Sequence, residues 1–406
     1  MAVFDEGGSL TCDPSDTRAR WCRHFTNVLN IKSAFGESVV ESMSARPVME
    51  DLDTPPTMQE LHRALSKMKL GKAGGQSGIV PEMLLHGGSD LHQALHQLLL
   101  DMWQSQSVVA EWRNAVVVPI PKKGDIRVCD NWRGISLLDV AGKVFARVFQ
   151  DRLRAVVEDV LPDSQCGFRK GCGCIDMVFC ARQLLEKSIE HDCSLYVLFV
   201  DLKKAYDSIP QAALWQVLKK LGVPPTMLSV IRSFHEGMVA KVRVNGELSE
   251  DILVKNGLRQ ICTLAPMLFI LYFSVVMSQW RSQCPEAGVN VRFKIGRKLV
   301  GDRTAKSRLS TVTATESQFA DDAALYATTR PVFETMTSTF ITCARQWGLT
   351  VSIQKTKGMA VGHHALRTPL LVSETDTIEI VNDFPYLGSI ISDSGTLSPE
   401  LSARLG

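Results

Sequence analysis

The sequence predicts an α+β fold, and three observations predict it. Apolar runs of strand length interleave irregularly with segments of helical period; at least two strands are joined as hairpins; and no regular β-α-β alternation of a doubly wound parallel sheet runs through the chain. The 406 residues are 45 % hydrophobic and 22 % charged. Both values lie near the globular average and exclude disordered, collagen-like and disulfide-scaffold classes. At roughly 150 residues per domain, the length allows two or three domains or one large composite. A net charge of +2 gives no global argument for a nucleic-acid partner, so any such argument rests on local patches.

Taken in order, residues 1–56 are polar and acidic, with 10 acidic and 5 basic side chains in residues 1–60, and end at Thr54-Pro55-Pro56. They read as an N-terminal extension whose apolar cluster, Trp21 to Leu29, suits a short docking helix. Met58, Leu61, Leu65 and Met68 keep helical spacing. The stretch GKAGGQSG (71–78) has four glycines in eight positions, either to lie flat against a ligand or simply to turn; without a following Gly-Lys-Ser/Thr it is no P-loop. Ala115 to Ile120 is a short buried strand. Asp139 to Leu161 is helical, with Val144, Val148 and Leu153 on one side. Leu195 to Val200 (LYVLFV) is a continuous apolar strand of the kind covered on both faces. Ser208 is placed to cap a helix with Pro210 in its first turn, running to Leu221 and stopped by Gly222. Val239 to Val244 alternates at period two into an Asn245-Gly246 turn.

Leu264 to Met277 is a 14-residue apolar run containing Pro266, too short for a membrane span of ~20 residues, and reads as a buried helix opened by proline. Residues 292–308 hold seven basic side chains (Arg292, Lys294, Arg297, Lys298, Arg303, Lys306, Arg308) and Asp302, a solvated loop or a face for phosphates. A second hairpin centres on Asp321-Asp322, and Val332, Met336, Phe340, Ala344 and Trp347 define a helix closed by Gly348. The 11 cysteines, an odd number, and a start without signal-peptide character point to a reduced intracellular setting, nucleus or cytoplasm, and no membrane.

Two features carry chemistry. Asp201 stands where the apolar strand LYVLFV ends, and Asp321-Asp322 interrupt an otherwise apolar hairpin. An isolated Asp-Asp is most often an ordinary turn. Here the apolar flanks would desolvate like charges, a cost that a bound divalent cation offsets. Three carboxylates from two strands suit two magnesium ions and phosphoryl transfer, with spacing alone leaving polymerase and nuclease open.

Nine strings resemble, in order, the reverse transcriptase of non-LTR (LINE-type) retrotransposons: GKAGGQSGIVPEMLL (71–85), VVPIPKKGD (117–125), NWRGISLLDVAGKVFARV (131–148), QCGFRKGCGCIDMVF (165–179), FVDLKKAYDSI (199–209), NGLRQICTLAPMLF (256–269), QFADDAAL (318–325), GLTVSIQKTK (348–357) and FPYLGSIIS (384–392). The likeness runs from about Arg20 onward. It implies a right-hand polymerase with a ferredoxin-like palm and α-rich fingers. The boundaries it implies are an acidic extension over 1–56, fingers over 57–193, a palm over 194–395 with an interleaved fingers segment near 213–255, and the start of a truncated thumb connection over 396–406.

By the same resemblance, Asp201, Asp321 and Asp322 hold two Mg2+ ions, with Mn2+ as a substitute. Tyr206 is the steric gate against a ribose 2′-hydroxyl. Arg133 grips the incoming triphosphate, Gln260 and Leu202 line the nucleotide, Lys355 donates a proton to pyrophosphate, and Lys122 and Lys123 contact the template. The implied partners are an RNA template, a DNA primer and deoxynucleoside triphosphates. Set against those roles, a surface Lys pair or an isolated Arg is ordinarily only solvated, and Tyr206 fits an apolar strand-to-helix junction equally well.

The chain departs from the pattern at Ile261, where the family has the glycine of Arg-Gln-Gly-Cys. A branched side chain there is expected to crowd the nucleotide pocket and weaken activity. In GKAGGQSG, Gly74 replaces a proline and Gln76-Ser77 replace Pro-Asp, which loosens the loop. Cys166, Cys172, Cys174 and Cys180, with His191 and Cys193 nearby, do not have the spacing of a zinc knuckle or ribbon. The expected function is RNA-directed DNA polymerase, weakened or inactive. The rival is a non-catalytic nucleic-acid-binding remnant, and a two-metal nuclease ranks third because it leaves Tyr206, Arg133 and Gln260 without a shared purpose.

Overall fold

The computed structural model describes residues 2–31, 33–258, 263–295 and 308–405. Packing divides the chain into two compact units, one from Met1–Leu161 and Lys204–Tyr272, the other from Pro162–Lys203 and Phe273–Gly406.

The first unit is built on a sheet with the order Trp132–Leu137, Ala115–Pro121, Met238–Val244, Glu247–Leu248, with Ile252–Val254 also pairing Met238–Val244. Ala115–Pro121 is antiparallel to Trp132–Leu137 but parallel to Met238–Val244, Ala115 lying opposite Ala240. The expected turn forms at Asn245 (φ 52°) and Gly246 (φ 88°), the two positive φ values that an Asn-Gly hairpin turn requires. On this sheet lies the helix Pro14–Leu29, whose first turn is capped by Asp13 accepting from Ser15 N–H at 2.8 Å. Its Trp21 and Phe25 are fully buried in one cluster with Val117, Trp132, Ala240 and Val242.

The helix Val140–Val160 starts where Asp139 caps it, accepting from Ala141 N–H at 3.0 Å. It buries Val144, Phe145, Val148, Phe149 and Leu153. Arg152 of the same helix is buried and pairs with Glu60 of Met58–Ser66 through two bonds of 2.7 and 2.8 Å, while also donating to the carbonyls of Leu52, Thr54 and Pro55. The glycine-rich loop lies against this helix's start. A Cβ on Gly75 would fall 2.6 Å from the backbone of Asp139, and Ser77 donates its hydroxyl to the Asp139 carboxylate.

One expectation fails. Ser208 does not cap the helix that follows: it ends the short helix Ala205–Ser208 and donates to its own Ala205 carbonyl at 3.1 Å. The helix Gln211–Lys220 begins after Pro210 with no side-chain cap. The Ala-Tyr-Asp-Ser turn competes for the hydroxyl, a local alternative that Ser often takes.

The second unit holds a four-stranded sheet of β1 (Leu195–Val200), β2 (Glu316–Phe319), β3 (Asp322–Ala327) and β4 (Lys357–Val361), in the order β2-β3-β1-β4 with every neighbour antiparallel. All six residues of β1 are buried, as its unbroken apolar run requires. Leu195, Val197 and Phe199 join Met177, Ala181, Leu184 and Leu185 of helix α1 (Cys174–Glu190) in one core. On the alternate residues, Tyr196 stacks on Phe333 of helix α3 (Arg330–Gln346), with centroids 5.4 Å apart. Helix α2 (Ala265–Gln283), which belongs to the second unit only from Phe273 onward, opens with Pro266 in its first turn and runs beyond the expected Met277. Its indole Trp280 donates to Met336 O of α3 at 3.2 Å. The basic stretch places Arg292 and Arg308 on the paired strands Val289–Ile295 and Arg308–Ala314; residues 296–307 lie outside the described residues. No described helix is long and apolar enough to cross a membrane.

Candidate active site

Strand register brings the three aspartates to one end of one sheet. Val200, the last residue of β1, lies opposite Ala323, so Asp201 and Asp322 stand at the adjoining strand ends. Phe319 pairs with Asp322 across the two-residue turn Ala320-Asp321. The Asp201 main chain is fixed on both sides, its N–H donating to Thr356 Oγ1 at 3.2 Å and its carbonyl accepting from Ser352 N–H at 2.8 Å. Lys355 Nζ lies 3.8 Å from Asp201 Oδ2 with its own side chain 72 % exposed. Leu202 is buried, and its backbone bridges Val351.

The electrostatics follow from this crowding. Burial raises Asp201 above the usual carboxylate range against the pull of Lys355. Burial and then the Asp201 charge raise Asp321. Asp322 remains exposed at the sheet end, yet desolvation by the surrounding protein, followed by the charges of Asp321 and Asp201, pushes it up to about 6. Among the described residues no side chain donates a hydrogen bond or an ion pair to Asp321 or Asp322. These are anionic, all-oxygen donors with unspent charge, the donor chemistry that hard divalent cations take. Among the described residues no three His, Cys, Asp or Glu side chains are grouped so that together they could hold a metal ion as they stand. The thiols of Cys166, Cys172, Cys174 and Cys180 are free.

The remaining predicted residues belong to the first unit. Tyr206 is half-buried and stacks on Phe269, centroids 4.6 Å apart. Its carbonyl accepts from Leu258 N–H at 2.7 Å, and Gly257 packs so close to Asp207 that a Cβ would fall 2.6 Å from the Asp207 carbonyl oxygen. The strings around Tyr206 and Asn256 are thus adjacent. Arg133 is exposed opposite Ile120, and Lys122 and Lys123 follow immediately beyond that partner strand, so all three lie at one end of one hairpin. Gln260 and the departure at Ile261 lie outside the described residues. Sequence reasoning passed over Thr356 and Gln165, both fully buried polar residues inside quoted strings. No local pattern marks either one, because both strings mix buried and exposed residues and what singles these two out is the distant backbone each one meets.

Residues 120–391 match the family model described as reverse transcriptase (RNA-dependent DNA polymerase). The chain belongs to that family. Among its relatives, the Transposon TX1 uncharacterized 149 kDa protein of Xenopus laevis is 28 % identical over 274 residues, 66 % of this chain and 21 % of that protein. The Pol polyprotein of type-2 retrotransposable element R2DM of Drosophila melanogaster is 26 % identical over 65 % of this chain and 23 % of its own length. The RNA-directed DNA polymerase from mobile element jockey of the same organism is 25 % identical over 63 % of this chain and 30 % of its own. This reverse transcriptase relative therefore resembles the non-LTR retrotransposon polymerases, and spans less than a third of the length of these curated relatives. The helix Pro14–Leu29 lies outside the matched range yet shares the first unit's core.

Proposed function

We propose that the chain is an RNA-directed DNA polymerase of non-LTR retrotransposon type, transferring a deoxynucleotide to a primer 3′-hydroxyl on an RNA template. The observation that carries this reading is the convergence of Asp201, Asp321 and Asp322 at one sheet end with no described cation side chain against the Asp pair. The β2-β3-β1-β4 sheet, in the order of a ferredoxin-like split β-α-β, is the palm, and the hairpin bearing Lys122, Lys123 and Arg133 belongs to the fingers. The three carboxylates would hold two divalent cations, magnesium by preference and manganese as a substitute. When bound, such ions supply charge to the attacking and leaving oxygens of an in-line displacement.

The other side chains position and exclude. Arg133 offers a planar fork for triphosphate oxygens. The ring of Tyr206, held by Phe269, presents bulk against a 2′-hydroxyl. Lys355 beside Asp201 is placed to give a proton to departing pyrophosphate, and Lys122 and Lys123 give charge to a template backbone.

The test is extension of a DNA primer on an RNA template with magnesium and four deoxynucleotides, the parent being compared with Asp321→Asn/Asp322→Asn. Extension by the parent and none by the double variant is the expected outcome. Retained RNA binding with no extension by either, also after Ile261→Gly, supports the non-catalytic remnant instead; shortened strands support a nuclease.

A further inference from the structure

The turn that carries Asp321 is held from outside its own hairpin. Gln165 is fully buried, 0 % exposed, and its side-chain amide meets that turn with both ends. Oε1 accepts from Ala320 N–H at 3.1 Å and from Gly167 N–H at 2.8 Å. Two backbone donors converge on that oxygen, which dictates the amide's orientation. The Nε2 group donates to Gln318 Oε1 at 3.2 Å and to the Ala320 carbonyl at 3.4 Å. Main-chain bonds run alongside: Cys166 N–H to Gln318 O at 2.9 Å and Gln318 N–H to Ser164 O at 2.8 Å. Gly167 permits this approach, since a Cβ there would fall 2.3 Å from Ala320 N.

The turn needs such support. Ala320 has φ 58°, a left-handed conformation that is strained for any residue other than glycine. Relaxing it would swing the next two residues, which are Asp321 and Asp322. Packing alone does not call for an amide, because an apolar side chain of equal volume would fill the space. What the amide adds is a partner for both polar groups of Ala320.

We propose that Gln165 is a positioning residue, clamping the strained Ala320 turn so that the Asp321 and Asp322 carboxylates are presented beside Asp201. The inference rests on the reading of these aspartates as the polymerase centre, while the clamp itself is measurable without turnover.

The experiment compares the full chain with Gln165→Met, which keeps volume and loses all four bonds, and Gln165→Glu, which keeps a side-chain oxygen to accept from the Gly167 and Ala320 amides. Amide hydrogen exchange is followed at Gly167 and Ala320. In Gln165→Met both amides are expected to exchange about tenfold or more faster, while the paired amides of β1 and β3 keep their protection. Gln165→Glu keeps the parent pattern. In primer extension, Gln165→Met should lower kcat about 10- to 100-fold with the KM for deoxynucleotide changed less than about threefold. Adding Ala320→Gly, which adopts the turn without strain, should recover several-fold of the loss.

Unchanged exchange at Ala320 in Gln165→Met overturns the proposal, as does a Gln165→Glu variant as damaged as Gln165→Met. A parent that never extends a primer but shows the expected exchange pattern supports the clamp and removes the polymerase reading. A parent and a Gln165→Met variant that extend equally well do the reverse.

Discussion

Asp322 shows how far a single residue is held from its stable state. Its folded pKa of about 6 lies above the ordinary 3.8, so the folded chain binds this proton more tightly than the unfolded one. The resulting destabilisation is absent below about pH 4, where both states are protonated, grows as pH rises toward 6, and is complete above it. Asp322→Asn is therefore expected to raise stability at pH 7.5 in the absence of divalent cations. The gain is on the order of 1 kcal/mol once the side chain's exposure is allowed for, and it vanishes near pH 4. Denaturant titrations at the two pH values measure it. Equal stability of parent and variant at pH 7.5 would contradict the crowding argument. The two aspartates were legible in sequence because charge amid strand residues is conspicuous. Gln165 was not, because a glutamine's importance lies in which backbone groups it meets.

Elements differ in how much local sequence decides. The helix Val140–Val160 follows from an Asp cap and helical spacing, and the Asn245-Gly246 turn from two residues able to take positive φ. The ending of Ala205–Ser208 does not follow, since one hydroxyl had two nearby backbone partners. Arg152 represents the opposite case, a charged residue on a helix face that local pattern would place in water. It is buried and answers Glu60 and three carbonyls from 52–55. Arg152→Leu leaves those acceptors without their donor and should destabilise the chain by about 3–5 kcal/mol. Chemical denaturation tests this; a loss below about 1 kcal/mol would place the pair with weak surface bridges.

At the scale of the molecule, the two units are each assembled from separated stretches of chain. The first unit shows what that does to sequence reading: Trp21, from a stretch that composition marks as a polar extension, is 0 % exposed in the same core as Val117 and Val242. Trp21→Ala is expected to cost about 3–5 kcal/mol and to lower the thermal midpoint, read by calorimetry on the full chain. A docking helix that merely rests on the surface would instead leave the midpoint within a degree or two, about the effect of an ordinary surface substitution.

The α+β class, most helices and strands, and the placing of Asp201 and Asp321-Asp322 at strand ends were determined by sequence alone. Hydrophobic period, caps and turn residues act over a few positions, and their signal is complete within that window. The order β2-β3-β1-β4, the parallel pairing of Ala115–Pro121 with Met238–Val244, and the bonds from Gln165 to Ala320 were decided only by the tertiary structure. Each joins residues more than a hundred positions apart, or depends on such a joining, and the free energy that selects it is gained only when distant surfaces leave water together.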